Sequence, residues 1–282
     1  MKLIAGSGSS VCDWVLTFEG QTVLECSTMG FNPFFHNEVL IQYAIERTDA
    51  LMKYASRVKE IYYYGAGCSS ERRKNVLRRA LRFVFQKAEI YVAHDLEGAV
   101  FATLETTPSI VCILGTGSNA CFFDGKKIVA ETFALGHILG DEGSGAYFGK
   151  EILTKYLYNE LPKHIYDLLT ERHSLTQEVI FQNVYKMPNA NVYLASFMKT
   201  LSSIKDDKFV REFVYKGLSR FLTHHVWSYK QHRSVPVHFI GSIAFHFQDL
   251  LEEACYKHRI KIGKIIKHPV VNLSKHHNSE FL

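Results

Sequence analysis

The chain has 282 residues, of which 47% are hydrophobic and 22% charged, proportions that exclude a disordered or collagen-like protein and leave room for two domains or one large one. Its 33 Lys and Arg are interleaved with 28 Asp and Glu, giving a formal net charge of +5. The densest basic run, Arg72-Arg73-Lys74 with Arg78-Arg79, has the spacing of a solvated helix face, so no nucleic-acid partner is expected.

In chain order, residues 3–5 and 13–18 read as strands flanking the loop Gly6-Ser7-Gly8-Ser9-Ser10, and Glu19-Gly20 turns into a third strand at 21–24. A strand at 60–64, which includes Tyr62-Tyr63-Tyr64, runs into Gly65-Ala66-Gly67 and a helical pattern over 69–83. Another strand at 89–93 runs through His94-Asp95 into a helical pattern over 96–104. The first motif then returns as a strand at 111–114, the turn Gly115-Thr116-Gly117-Ser118, a strand at 120–123, Asp124-Gly125 and a strand at 127–130. Residues 150–232 read as a helical insertion, with helices predicted over 151–159, 176–185, 193–201 and 209–229 and a break at Lys186-Met187-Pro188-Asn189. The second motif follows it: a strand at 237–240, Gly241-Ser242, a helical pattern over 243–256, a strand at 264–266 and a final short helix from Val270.

The six cysteines, at 12, 26, 68, 112, 121 and 255, have neither CxxC spacing nor the density of a disulfide scaffold. Free thiols in a reducing, cytoplasmic setting are expected. No stretch approaches ~20 uninterrupted apolar residues, and the apolar start at 1–5 is too short for a signal peptide, so no membrane span is expected. None of the fourteen histidines shows HxxxH spacing with an acidic partner or a Cys pair, and the adjacent pairs His224-His225 and His276-His277 point apart on a helix.

One glycine-serine loop is explained by a tight or flexible turn. Two, each between the strands of a hairpin and each followed by strand, glycine turn and helix, point to a duplicated pair of α/β lobes, 1–107 and 108–282, with the last helix free to pack back on the first. Each lobe would turn its glycine loop toward a shared nucleotide cleft, because backbone N–H groups reach a polyphosphate only where no side chain obstructs. Hydroxyls at Ser9, Ser10, Thr116 and Ser118 would add donors. A dinucleotide fingerprint is disfavoured: Val11 stands where its third glycine belongs, and β-type Trp14-Val15-Leu16 follows instead of a helix. A Walker A loop is absent, since Gly-Lys-Ser/Thr does not occur.

The order of GSGS, GAGC, Ala93-His94-Asp95-Leu96-Glu97-Gly98-Ala99, Leu114-Gly115-Thr116-Gly117-Ser118-Asn119, Leu139-Gly140-Asp141-Glu142-Gly143-Ser144-Gly145 and Ile240-Gly241-Ser242 resembles the N-acetylglucosamine kinase family, in its bacterial, Bacteroidetes type. The resemblance covers essentially the whole chain. It implies the actin-like ATPase superfamily with ribonuclease-H-like lobes, the grouping that also holds the benzoyl-CoA reductase activase-type ATPases. It further implies ATP and Mg²⁺ as cofactors, an amino-sugar substrate and a homodimer.

By the resemblance, Asp95 is the general base for the attacking sugar hydroxyl; by position alone it also reads as a helix N-cap. The resemblance places ATP phosphates at Ser7, Gly8, Ser9, Ser10, Gly115, Thr116, Gly117 and Ser118, and adenosine beside Gly241 and Ser242, which otherwise form a routine strand-to-helix turn. Sugar contacts are implied at Asn32 of Gly30-Phe31-Asn32-Pro33, at Gly136 and at Asp141, although Asn before Pro is also a turn former. Asp141 and Glu142 are the implied metal carboxylates, in a segment that could equally be a glycine-bounded helix cap. Family members carry aspartate where this chain has Gly6, and lysine where it has Val11. Losing a carboxylate from the Mg²⁺ shell weakens charge neutralisation on the phosphates, so a catalytically impaired sugar- or nucleotide-binding homologue is the alternative. An iron–sulfur activase is the third reading, against which stands the lack of paired cysteines.

Overall fold

The computed structural model describes residues 1–278, in which the apolar and β-branched runs near the N-terminus form a meander of β1 (Lys2–Ser7), β2 (Val11–Phe18) and β3 (Gln21–Met29). Then come α1 (Glu38–Glu46), α2 (Asp49–Met52), β4 (Glu60–Gly65), α3 (Glu71–Val84), β5 (Glu89–His94) and α4 (Asp95–Thr103). The sheet order is β3-β2-β1-β4-β5, with β1 antiparallel to β2 and parallel to β4, and β4 parallel to β5. Central β1 is apolar on both faces because both are covered. Leu3 and Ala5 face a core with Trp14, Tyr63 and the α3 stripe Leu77, Ala80 and Leu81, whereas Ile4 packs with Val15, Tyr64, Val270 and Leu273. Those last two residues belong to the C-terminal helix Pro269–Asn278, so from His268 on the chain is part of this first unit, together with residues 1–106. That return lies inside the range 108–282 read from sequence as the second lobe, whose residues 279–282 fall outside those described.

The second unit, residues 107–267, repeats the scheme. Its elements are β6 (Ser109–Leu114), β7 (Ser118–Phe123), β8 (Ile128–Glu131), α5 (Gly136–Leu139), α6 (Gly145–Leu157), α7 (Lys163–His173), α8 (Gln177–Phe181), α9 (Ala190–Ser202), α10 (Lys208–Phe221), β9 (Val237–Ile240), α11 (Ser242–His246), α12 (Gln248–Lys257) and β10 (Ile262–Ile266). The strand order β10-β9-β6-β7-β8 mirrors the first sheet element for element, hairpin strands antiparallel and the next two parallel. The duplicated α/β architecture expected from the two glycine turns is thus present in the strand order itself.

The helices of this unit depart from their predicted outline in three ways. α7 was not anticipated, and it buries only Ile165 and Leu169. The segments at 176–185 and 209–229 are each an α-helix that widens into a π-helical turn, Gln182–Lys186 and Leu222–Val226. The run over 243–256 is broken at Phe247, whose φ of −115° and nearly complete burial take it out of helical register. α6 and α9 cross at a distance only glycine permits: a Cβ at Gly149 would stand 1.9 Å from the Leu194 carbonyl oxygen.

The C-terminal helix is fastened by aromatic contacts. The His277 ring stacks on Tyr62 with centroids 3.9 Å apart, its Nε2 lies 2.8 Å from the Tyr64 hydroxyl, and Asn272 donates to the Ala102 carbonyl at 2.8 Å. Burial, with His276 and Lys2 nearby, pushes the His277 imidazole down to about 4. The folded state therefore binds fewer protons than the unfolded chain between its pKa and the ordinary value of about 6.5, so this contribution is full above pH ~6.5 and is lost as pH falls toward 4. Thermal unfolding of wild type should lose more stability between pH 7 and pH 4.5 than that of His277→Phe; parallel pH profiles would show that the histidine does not couple to folding.

Candidate active site

In the first unit, three loops lock together through their backbones. The β1–β2 turn closes with Gly8 N–H donating to the Val11 carbonyl at 2.9 Å. The segment after β3 lies directly across it: Gly30 donates to the Ser10 carbonyl at 3.0 Å, and a Cβ at Gly30 would be 2.3 Å from the Gly8 oxygen. Phe31 N–H donates to Ser7 Oγ at 3.0 Å. Asn32 donates its amide to Ser9 Oγ at 3.4 Å and accepts from Phe34 N–H at 3.0 Å, while its Oδ1 rests on Gly67, where a Cβ would sit 2.1 Å away. The loop after β4 joins through Ala66, which donates to the Ser7 carbonyl at 2.9 Å.

Register carries this cluster to Asp95. Ser7 pairs with Gly65 on β4, and Gly65 pairs with His94 on β5, so the chain leaves the sheet at Asp95 from the row that holds Ser7. Asp95 is the first helical residue; the N-cap position belongs to His94, which makes no side-chain capping bond. The Asp95 side chain is 23% exposed, but its Oδ1 is sealed from solvent without a hydrogen bond, 3.3 Å from His94 Nε2. Gly6 sits in β1, where a Cβ would be in ordinary contact, 3.8 Å, with Pro269, Val270 and Leu273. Asp13 stands opposite it on β2 and is engaged, accepting from Ser27 Oγ at 2.7 Å and lying 3.2 Å from His268 Nδ1.

In the second unit the acidic loop hangs on the other glycine turn. Gly115 N–H donates to the Gly117 carbonyl at 3.0 Å, Gly145 donates to the Gly115 carbonyl at 2.8 Å, and Ala146 to the Thr116 carbonyl at 3.0 Å. Ser144 caps α6 by accepting from Tyr147 N–H, which turns the loop back on itself. Asp141, at φ +58° and buried, has its carboxylate against Gly117, where a Cβ would be 3.1 Å from Oδ2. Gly136 accepts from Gly140 at 2.8 Å, one turn before this loop. Gly241, at φ +123°, brings the end of β9 against β6; a Cβ there would be 2.4 Å from the Leu114 oxygen. Ser242 follows it on the exposed side, and the Ser118 hydroxyl is sealed from solvent with no hydrogen bond.

Glu142 is held by a residue that sequence reasoning missed. Its Oε2 lies 3.4 Å from Nε2 of His225, a buried histidine in the π-helical turn after α10. Burial works to raise the Glu142 pKa, but its own backbone N–H and His225 outweigh it and keep the carboxyl below its ordinary value. Burial likewise lowers His225, against the opposing pull of Glu142. The two residues are far apart in sequence, and His225 reads there as one of an ordinary helical pair.

A magnesium ion that arrives with a nucleotide needs one or two protein carboxylates in addition to phosphate oxygens. The Asp141 carboxylate, buried beside the glycine turn, suits that demand. Among the described residues no group of three or more His, Cys, Asp or Glu forms a self-sufficient metal cage, nor is any helix long and apolar enough to cross a membrane.

No family model matches the chain. Over 85 residues it is 34% identical to the N-acetylmuramic acid/N-acetylglucosamine kinase of Clostridium acetobutylicum, a match spanning 30% of this chain and only 28% of that protein's length. The solved structure of a Porphyromonas gingivalis protein, provisionally described as an N-acetylglucosamine kinase, is 34% identical and superposes over 100% of both chains with a TM-score of 0.92. A Chromobacterium violaceum protein with the same provisional description shares the fold at 15% identity and a TM-score of 0.71, over 98% of this chain and 99% of its own.

The glycine contacts separate two substitutions that look alike in sequence. Gly30→Ala forces a methyl into the Gly8 carbonyl and should cost about 1–3 kcal/mol. Gly115→Ala meets nothing within 4 Å and should leave stability nearly unchanged. Urea midpoints of both variants check this, and equal losses would show that the loop contact does not constrain the fold.

Proposed function

Since the chain belongs to the N-acetylglucosamine kinase family, we propose that it transfers the γ-phosphoryl group of ATP to a hydroxyl of N-acetylglucosamine or a related amino sugar. Its two sheets of matching strand order are those of the actin-like sugar-kinase fold. The observation that carries the reading is the register row Ser7–Gly65–His94, which puts a partly exposed carboxylate, Asp95, at the same end of the sheet as the first glycine turn, two strands away.

In this reading Asp95 takes the proton from the attacking hydroxyl. With Oδ1 sealed against His94, Oδ2 is the oxygen that meets the alcohol. Asn32, already tied to Ser9 and Phe34, keeps one amide hydrogen and a carbonyl lone pair for the sugar. The turns at 7–10 and 115–118 offer backbone N–H groups to phosphate oxygens, with hydroxyls at Ser9, Ser10 and Thr116 as further donors. Gly136 and Asp141 complete the sugar side, and Gly241 and Ser242 the adenosine side. Asp141 would hold Mg²⁺, which when bound neutralises charge on the β- and γ-oxygens. Glu142, held through Oε2 by His225, would be the second metal carboxylate.

Purified protein with ATP, Mg²⁺ and a panel of amino sugars should release ADP in a sugar-dependent way. Asp95→Asn should lower that rate about 10²–10⁴-fold with an unchanged melting temperature; no sugar-stimulated ADP from wild type would overturn the proposal.

A second reading, a homologue that binds ligand with little turnover, is favoured by Gly6 alone. The structure has room for a Cβ at that position, so the missing carboxylate can be restored. Gly6→Asp is expected to raise sugar-stimulated turnover by about tenfold or more. Ligand-induced stabilisation of wild type without turnover, together with rescue by Gly6→Asp, would establish the second reading over the first.

A further inference from the structure

The contacts around His225 form a directed chain, and the direction follows from counting donors. The Ala120 carbonyl already accepts from Thr132 N–H at 3.1 Å and from the Tyr229 hydroxyl at 2.8 Å. The Thr132 hydroxyl lies 3.3 Å from that oxygen but 3.1 Å from His225 Nδ1. The Glu142 carboxylate, kept ionised, can only accept, so the ring nitrogen facing it carries the hydrogen and Nδ1 accepts from the Thr132 hydroxyl. That leaves the ring hydrogen on Nε2, pointing at Glu142 Oε2, 3.4 Å away. The ring plane is set by stacking on Phe221, centroids 4.8 Å apart and 19° between planes. The π-helical turn Leu222–Val226 brings His225 round to this position, and such turns recur where a side chain must be re-aimed.

We propose that His225 is a positioning residue of the phosphoryl-transfer site: as the Nε2–H tautomer, oriented by Thr132, it holds Glu142 and through it the loop 140–145 against the glycine turn at 115–117. The inference rests on the kinase reading for its catalytic consequence, but not for its geometry. His225 touches no reacting group. It acts through a loop whose other ties to the turn include the Gly145 and Ala146 N–H bonds and the packing of Asp141 on Gly117. A donor that holds a carboxylate from behind fixes its orientation, and a small displacement of such a loop costs large factors in rate.

Two variants separate positioning from packing. His225→Phe keeps the ring and its stack on Phe221 but donates nothing; His225→Gln gives up the ring and keeps an amide N–H able to reach Glu142. Under the proposal His225→Gln retains kcat within about threefold, while His225→Phe loses about tenfold or more at an unchanged melting temperature. A packing role predicts the reverse order, and either that order or two variants equal to wild type would overturn the inference. A long-range ¹H–¹⁵N spectrum of the histidine rings, with the His225 signal assigned by its loss in His225→Gln, reads the tautomer without any substrate. An Nε2–H ring is expected, and an Nδ1–H ring would overturn the inference. Wild type that releases no sugar-stimulated ADP would count against the kinase reading, and the ring spectrum would still decide the geometry.

Discussion

Backbone meeting backbone is the constraint on which this protein's functional loops depend. In each unit the segment that follows the third strand returns to cover the turn between the first two, and in each it is fastened by peptide groups. Gly30 donates to Ser10 in the first unit, and Gly145 donates to Gly115 in the second. A peptide–peptide contact this close tolerates no side chain, which is why Gly30 cannot be replaced without moving the turn. The arrangement also has a chemical consequence. The bonds between segments take up carbonyls of the turns, at Ser10, Gly115 and Thr116, and not their N–H groups, which are what an anion needs.

The carboxylates divide into engaged and available ones, and the division tracks their expected work. Asp13 has Ser27 and His268, and Glu142 has His225. Asp95, by contrast, has one oxygen sealed against an imidazole without a hydrogen bond. A buried oxygen left in that state is costly, and the open part of the carboxylate is left to Oδ2. A carboxylate already saturated by protein donors would make a poor base, because its lone pairs are taken. In the proposed reading Asp95 would therefore be the base, where motif position alone left it equally readable as a helix cap.

What the sequence revealed was local, and what it hid was long-range. The glycine turns at 6–10 and 115–118 announce themselves because alternating apolar residues flank them over a few positions, and their shared order exposes the duplication. Strand-then-helix at 60–84 and 89–103 is legible for the same reason. The C-terminal helix gives no local sign that it completes the first unit: Val270 and Leu273 meet Ile4 and Val15 only through tertiary packing. The π-helical turns are likewise silent, since one extra residue per turn leaves the apolar spacing almost unchanged. His225 is hidden twice over, by distance from Glu142 and by a periodicity that marks it as an ordinary helical residue.

Gly6 ties the architecture to the chemistry most closely. Its strand neighbours are buried on both faces, and the atoms nearest a Cβ at that position are the apolar side chains of Pro269, Val270 and Leu273. A carboxylate there begins its path beside hydrocarbon and must extend beyond it to find water, metal or a donor, with a desolvation cost along the way. Glycine removes that cost and gives up only about 0.5–1 kcal/mol in strand propensity. The C-terminal helix can then seat its apolar side chains over β1 without facing a charge. The glycine that would weaken the expected metal shell thus also lets the C-terminal helix close on β1. Across the ladder, Asp13 is already paired to His268 and Ser27, so that carboxylate does not stand in for the one Gly6 lacks.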